Sequence, residues 1–106
     1  DFVLMSLGCA LAPENSRILL KIGESESISP NDLAKQLGMT ELTVRERINA
    51  LFQAGFVGRN YERGTNFLTD AGQSLVKVLN QIVDQLVSTI MEKLPDLINT
   101  SDETGV

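Results

Sequence analysis

Residues 29–69, SPNDLAKQLGMTELTVRERINALFQAGFVGRNYERGTNFLT, limit the possible folds more than any other stretch of the chain. Ser29 precedes Pro30, and Asp32 follows three residues after the serine. Proline at a first helical position forfeits no hydrogen bond, a serine hydroxyl accepts from a free N–H, and an acid suits the positive helix end. Leu33, Ala34 and Leu37 continue as one apolar stripe, and Gly38 ends it because glycine takes a left-handed cap without steric penalty. Met39 fills a turn, and Thr40 caps a second helix. There Val44, Ile48, Leu51 and Phe52 are expected on one face, with Gly55 closing the element. A separation of about three residues around a glycine is that of a helix-turn-helix.

After Gly55 the periodicity changes. Phe56-Val57 and Phe67-Leu68 are short β-prone segments, and Tyr61-Glu62-Arg63-Gly64 supplies the turn of a hairpin between them. The expected fold is therefore mostly α with a small β-hairpin wing (α+β): a winged helix-turn-helix with a long C-terminal dimerisation helix. A generic helical bundle is the alternative, since a helix pair around a glycine also occurs without any nucleic-acid role.

Four segments are expected. Residues 1–12 are mostly apolar and form an N-terminal arm or helix that covers the core or crosses to a partner. Residues 13–69 are the winged domain. Its first helix starts at Pro13, packs through Ile18, Leu19 and Ile22, and ends at Gly23. A polar loop and a brief strand at Ile28 follow. Residues 70–98 are one long helix, capped by Thr69 and Asp70 and broken by Pro95, and residues 99–106 (NTSDETGV) are a disordered tail. Along the long helix Leu75, Leu79, Ile82 and Leu86 make one apolar line, and Val83, Val87, Ile90, Leu94 and Leu97 a second, slightly rotated one. A small domain covers only the first turns of such a helix, so Leu75, Leu79, Ile82, Val83, Leu86, Val87, Ile90 and Leu94 are the expected dimerisation surface. The alternative is that the helix folds back along the apolar N-terminal segment.

With 106 residues the chain is one domain, and 42% hydrophobic residues is ordinary for a globular protein. It starts at Asp1 rather than methionine, as a processed or trimmed fragment would. The apolar run over residues 2–11 is too short to span a bilayer and lacks a basic flank, so neither a membrane helix nor a signal peptide is expected. Cys9 is the single cysteine, which excludes an internal disulfide and fits a reducing, cytoplasmic setting. It reads as a small buried hydrophobe, with a redox-sensing thiol as the alternative. Histidine is absent, which removes the commonest general base and the commonest metal ligand. No catalytic residue, metal site or cofactor is expected, and the chain is not expected to be an enzyme.

The net charge of −5 argues at first against a nucleic-acid partner. The distribution is more informative than the sum. Residues 41–69 carry four arginines against three acids and are the only positive segment. Field at the contact surface governs phosphate attraction more than the whole-chain charge.

With these residues in view, the chain resembles the winged-helix regulators of bacteria and archaea of the MarR and ArsR types. ALAPENSRILLKI looks like the first helix of the ArsR type. SPNDLAKQLGMTELTVRERINALFQAGFV is similar to the shared core, in which the recognition helix ends in Leu-x-x-x-Gly-Phe/Leu-Val. LTDAGQSLVKVL looks like the entry into the last helix of MarR relatives. The similarity covers about residues 10–85. The Cys and His ligands of many ArsR sensors are missing, so metal sensing is not implied, and the front is shorter than in typical MarR proteins.

The resemblance implies a dimeric, sequence-specific regulator of transcription. Its recognition helix, about residues 40–54, would enter the major groove of double-stranded DNA, and its wing, about residues 56–68, would lie on the backbone or minor groove. With Val44, Ile48 and Leu51 packed inward, the outward face presents Leu42, Thr43, Glu46, Asn49 and Ala50, flanked by Arg45 and Arg47. The expected DNA contacts are Thr40, Thr43, Arg45, Arg47 and Asn49 on the helix, and Arg59, Asn60, Tyr61 and Arg63 on the wing. Glu46 and the exposed Leu42 favour the competing reading, a winged-helix module that binds protein within a larger assembly. No residue identifies a small-molecule effector.

Overall fold

The computed structural model describes the backbone of residues 2–104 and the side chains of residues 2–95. Its framework is the helix pair α3 (Pro30–Leu37) and α4 (Glu41–Gln53). Ser29 Oγ accepts from the Asp32 amide at 3.1 Å to start α3. Gly38 ends it in the left-handed conformation, φ 67° and ψ 34°. Thr40 Oγ1 then accepts from the Thr43 amide at 3.2 Å to start α4. At the far end the Gly55 amide donates to Phe52 and the Phe56 amide to Leu51. With Gly55 at φ 90°, these two bonds close α4 as a Schellman cap.

Before this pair come α1 (Phe2–Leu11) and α2 (Pro13–Ser25); after it come β1 (Val57–Asn60), β2 (Thr65–Leu68) and α5 (Asp70–Thr104). The strands are antiparallel, with Val57 opposite Leu68 and Asn60 opposite Thr65. Ile28 and Asn66 exchange two backbone hydrogen bonds, 3.0 and 2.8 Å, so the expected short strand is an isolated bridge on the hairpin. The chain divides into two compact units, Asp1–Val76 and Lys77–Val106.

The core of the first unit gathers Ile18, Leu19 and Ile22 from α2, Leu33 from α3, and Val44, Ile48 and Leu51 from α4; Val57 and Leu68 from the hairpin close it. α1 joins through Ala10, which is fully buried, while Phe2, Leu4 and Met5 are exposed. Side chains from α2 satisfy the last carbonyls of α1. Asn15 Nδ2 donates to the Cys9 carbonyl and Ser16 Oγ to that of Ala10, both at 2.8 Å. Cys9 itself is half-buried rather than buried, and its Sγ lies 3.6 Å from Asn15 Nδ2.

Several further expectations are corrected. α2 does not end at Gly23 but continues to Ser25. A Cβ at Gly23 would lie 3.2 Å from Leu68 and 3.4 Å from Val76, so this glycine lets β2 and the start of α5 approach the helix. Phe52 is not in the core but 37% exposed. Eight residues beyond Val44, at about 100° per residue, it lies roughly 80° off the buried line. Leu75 does not join a free apolar surface: with Val76 it packs against the core of its own unit. Finally, Pro95 does not break α5, which is helical through Thr104. Proline's φ near −65° is itself helical, so the ring costs a ladder bond and leaves the turns on either side in place. Of the expected disordered tail, residues 99–104 are thus helical, and residues 105–106 lie outside the described residues.

α5 begins within the first unit. Thr69 Oγ1 accepts from the Gly72 amide at 3.1 Å and donates to the Gly55 carbonyl at 2.6 Å. A Cβ at Gly72 would fall 2.1 Å from the Phe56 carbonyl oxygen. Glycine there allows the helix to start against the end of α4. In the second unit Val78, Ile82, Val83, Leu86, Val87, Ile90, Met91 and Leu94 are between 38% and 61% exposed, whereas Leu79 is half-buried. No helix among the described residues is long and apolar enough to cross a membrane.

Candidate nucleic-acid interface

The buried line Val44, Ile48 and Leu51 fixes what α4 offers outward. Leu42, Glu46, Asn49 and Gln53 occupy the side away from the core, and all are exposed. Arg45 lies on the flank toward the hairpin and Arg47 on the flank toward α2.

Each arginine has a distinct environment. Arg45 Nη2 and Nε reach Glu41 Oε1 at 2.8 and 3.1 Å, an i,i+4 pair on the helix surface. This guanidinium, and secondly the Asn31 amide at 3.5 Å, hold the Glu41 carboxyl below its ordinary pKa. Arg47 Nε bonds Glu14 Oε2 of α2 at 3.0 Å. Arg59 crosses from β1 to α4: its Nη2 donates to Asn49 Oδ1 at 3.1 Å, and its guanidinium lies 4.5 Å over the Phe52 ring. Arg63 is in the hairpin turn, where its backbone amide donates to Asn60 Oδ1 at 3.3 Å. Among the described residues its guanidinium has no ion pair or hydrogen bond.

The Arg59 contacts join helix and hairpin into one surface. Between them opens a cleft of about 330 Å³, bordered by Arg45 and Ile48 of α4, Arg59 and Asn60 of β1, Tyr61 of the turn and Thr65 of β2. Tyr61 projects from its rim with 79% exposure. Gly58 accommodates the opposite strand, since a Cβ there would fall 2.5 Å from the Phe67 ring.

Of the nine residues expected to contact DNA, Arg45, Asn49, Arg59, Asn60 and Tyr61 are brought together around this cleft and its bridge. Arg63 extends the same hairpin. Thr40 and Thr43 form a hydroxyl pair at 2.8 Å at the start of α4, so their oxygens are partly committed to the cap. Arg47 is not part of the group, because its flank of α4 faces α2 and Glu14.

Three residues that shape this surface, Glu41, Gln53 and Thr65, were not singled out from the sequence, and a fourth, Phe52, was assigned to the core. Glu41 was detectable, since an acid four residues before an arginine is a helix-surface pair. Gln53 follows from angle alone, nine residues from Val44 and on the opposite side. Phe52 under Arg59 and Thr65 at the cleft depend on how the hairpin folds against α4, for which no local signal exists. No protein-family model, curated protein or solved structure matches this chain.

Proposed function

We propose that this protein is a winged helix-turn-helix regulator that binds double-stranded DNA as a homodimer, with α4 in the major groove and the hairpin as the wing. The observation that carries the reading is the Arg59 bridge. It fastens the hairpin to α4 through Asn49 and Phe52. The helix's outward side and the arginines of the hairpin therefore make one surface of the kind a duplex groove and its phosphates require. Dimerisation is supported by the exposed row on α5 from Val78 to Leu94, a larger apolar surface than a lone chain normally leaves in water. Two copies would read half-sites about one helical turn apart.

The acidic partner of Arg45 fits this role. Exchanging a carboxylate for a phosphate keeps the charge pairing, so binding should be salt-sensitive but weaker than a bare count of arginines suggests. A protein-binding role is the second reading, favoured by one observation: Leu42, 69% exposed, at the centre of the outward side next to Glu46.

Fluorescence anisotropy on random duplex DNA and on fragments upstream of the protein's own gene, from low to moderate salt, tests both. Binding that weakens with salt and is lost on Arg59→Ala and Arg63→Ala supports the regulator. Absence of binding at low salt by a confirmed dimer sinks it and turns attention to Leu42 as a protein contact.

A further inference from the structure

The cleft between α4 and the hairpin has more donor capacity than its own packing uses. Arg45 of α4 and Arg59 of β1 both line it. Arg45 spends Nε and Nη2 on a single oxygen of Glu41, and Arg59 spends Nη2 on Asn49, so each guanidinium keeps N–H groups in reserve. Thr65 also lines the cleft, and its Oγ1 is buried without a hydrogen-bond partner. That oxygen would reach a ligand only after rotation about χ1. Two like charges held at one opening, beside an unsatisfied hydroxyl, suit an anion with several acceptor oxygens.

We propose that this cleft is a seat for one phosphate group, held between the guanidiniums of Arg45 and Arg59. Planar guanidinium forks match phosphate oxygens in pairs, and Glu41 and Asn49 hold the two forks in place. Tyr61, on the rim, offers a ring on which a base can stack. The volume of about 330 Å³ is at the small end of ligand sites and accommodates a mononucleotide-sized group. The phosphate comes either from a free mononucleotide or from a duplex backbone. Only the second source rests on the proposed DNA reading. If both bind, a free phosphorylated ligand displaces DNA from the wing.

The test is an amide NMR titration of the full chain with adenosine monophosphate, inorganic phosphate and a short duplex, in low salt. The expected result is saturable movement of the Gly64, Thr65 and Asn66 amides by the mononucleotide. Arg45→Gln and Arg59→Gln should each weaken it at least tenfold, and Thr65→Val should weaken it less; Arg45 is exposed on α4, so its variant keeps the fold. Competition between mononucleotide and duplex for the same amides supports the seat with the backbone as one source. Mononucleotide binding without duplex binding supports the seat while the DNA reading fails. Shifts scattered over all lysines and arginines and unchanged in both variants overturn the proposal. So does the absence of any shift of the cleft amides at millimolar mononucleotide and inorganic phosphate.

Discussion

Leu51 of α4 and Leu86 of α5 are the same residue in the same secondary structure, yet Leu51 has no exposed surface and Leu86 is 58% exposed. Around Leu51, three helices and a hairpin from one chain converge, and each apolar side chain finds neighbours at once. Around Leu86 the helix runs on with apolar residues at three- and four-residue spacing, all exposed. Apolar spacing therefore defines a face in both regions, but only chain that returns to the face makes it a core. In the second unit the apolar row is left exposed, and the proposed dimer would cover it with a second copy.

Substitutions separate the two regions. Leu51→Ala is expected to cost about 2–5 kcal/mol, through lost transfer energy and the cavity left behind, with the same value at every protein concentration in urea unfolding. Gly72→Ala should cost about 1–3 kcal/mol as an overpacking change, because the new methyl meets the Phe56 carbonyl, a backbone atom that cannot rotate away. Equal stability of Gly72→Ala and the parent would show that the start of α5 is not held against the end of α4. Thr40→Ala should cost about 1 kcal/mol by leaving the Thr43 amide without its cap.

Leu86→Asp reverses the pattern. At low concentration it should alter unfolding by less than about 0.5 kcal/mol, as for other exposed positions. Analytical ultracentrifugation should show a shift from dimer to monomer at concentrations where the parent is dimeric. A large loss of stability in dilute solution would mean instead that α5 is covered within its own chain.

The smallest effect concerns pH. The Glu41 carboxyl is held below its ordinary value by Arg45 and then Asn31. Its contribution is therefore present above the ordinary glutamate range and lost as pH falls through the depressed folded value. Thermal melts of the parent and Glu41→Gln should differ slightly near neutrality and converge in acid. High salt should shrink the difference, since the pair is exposed.

The helix pair was legible because its determinants are local. Ser29, Pro30, Gly38, Thr40 and Gly55 act on amides and carbonyls within a few residues, and the structure uses each of them as the sequence suggests. The hairpin turn and the Ile28 bridge were legible for a similar reason, change of period. Gly23 and Pro95 were misread because the same residue types have two uses. A glycine can end a helix or let a neighbour approach, and a proline can stop a helix or remain inside it. Local sequence does not distinguish these uses.

The candidate surface divides along the same line. That Arg45 and Asn49 share the outer part of α4, and that Arg59 to Arg63 lie on a hairpin, follow from periodicity alone. That Arg59 reaches Asn49 over Phe52, while Arg47 turns to Glu14, depends on residues 10 and 33 positions away in the chain. By itself the sequence determined the helix pair, its caps, the turn and the main buried lines, because each follows from backbone bonds and side-chain spacing within one or two turns. Only the tertiary structure decided which arginines share a cleft, which glycines serve packing, and where cover for the apolar face stops. Those outcomes depend on contacts between distant segments, which exist only once the core has closed.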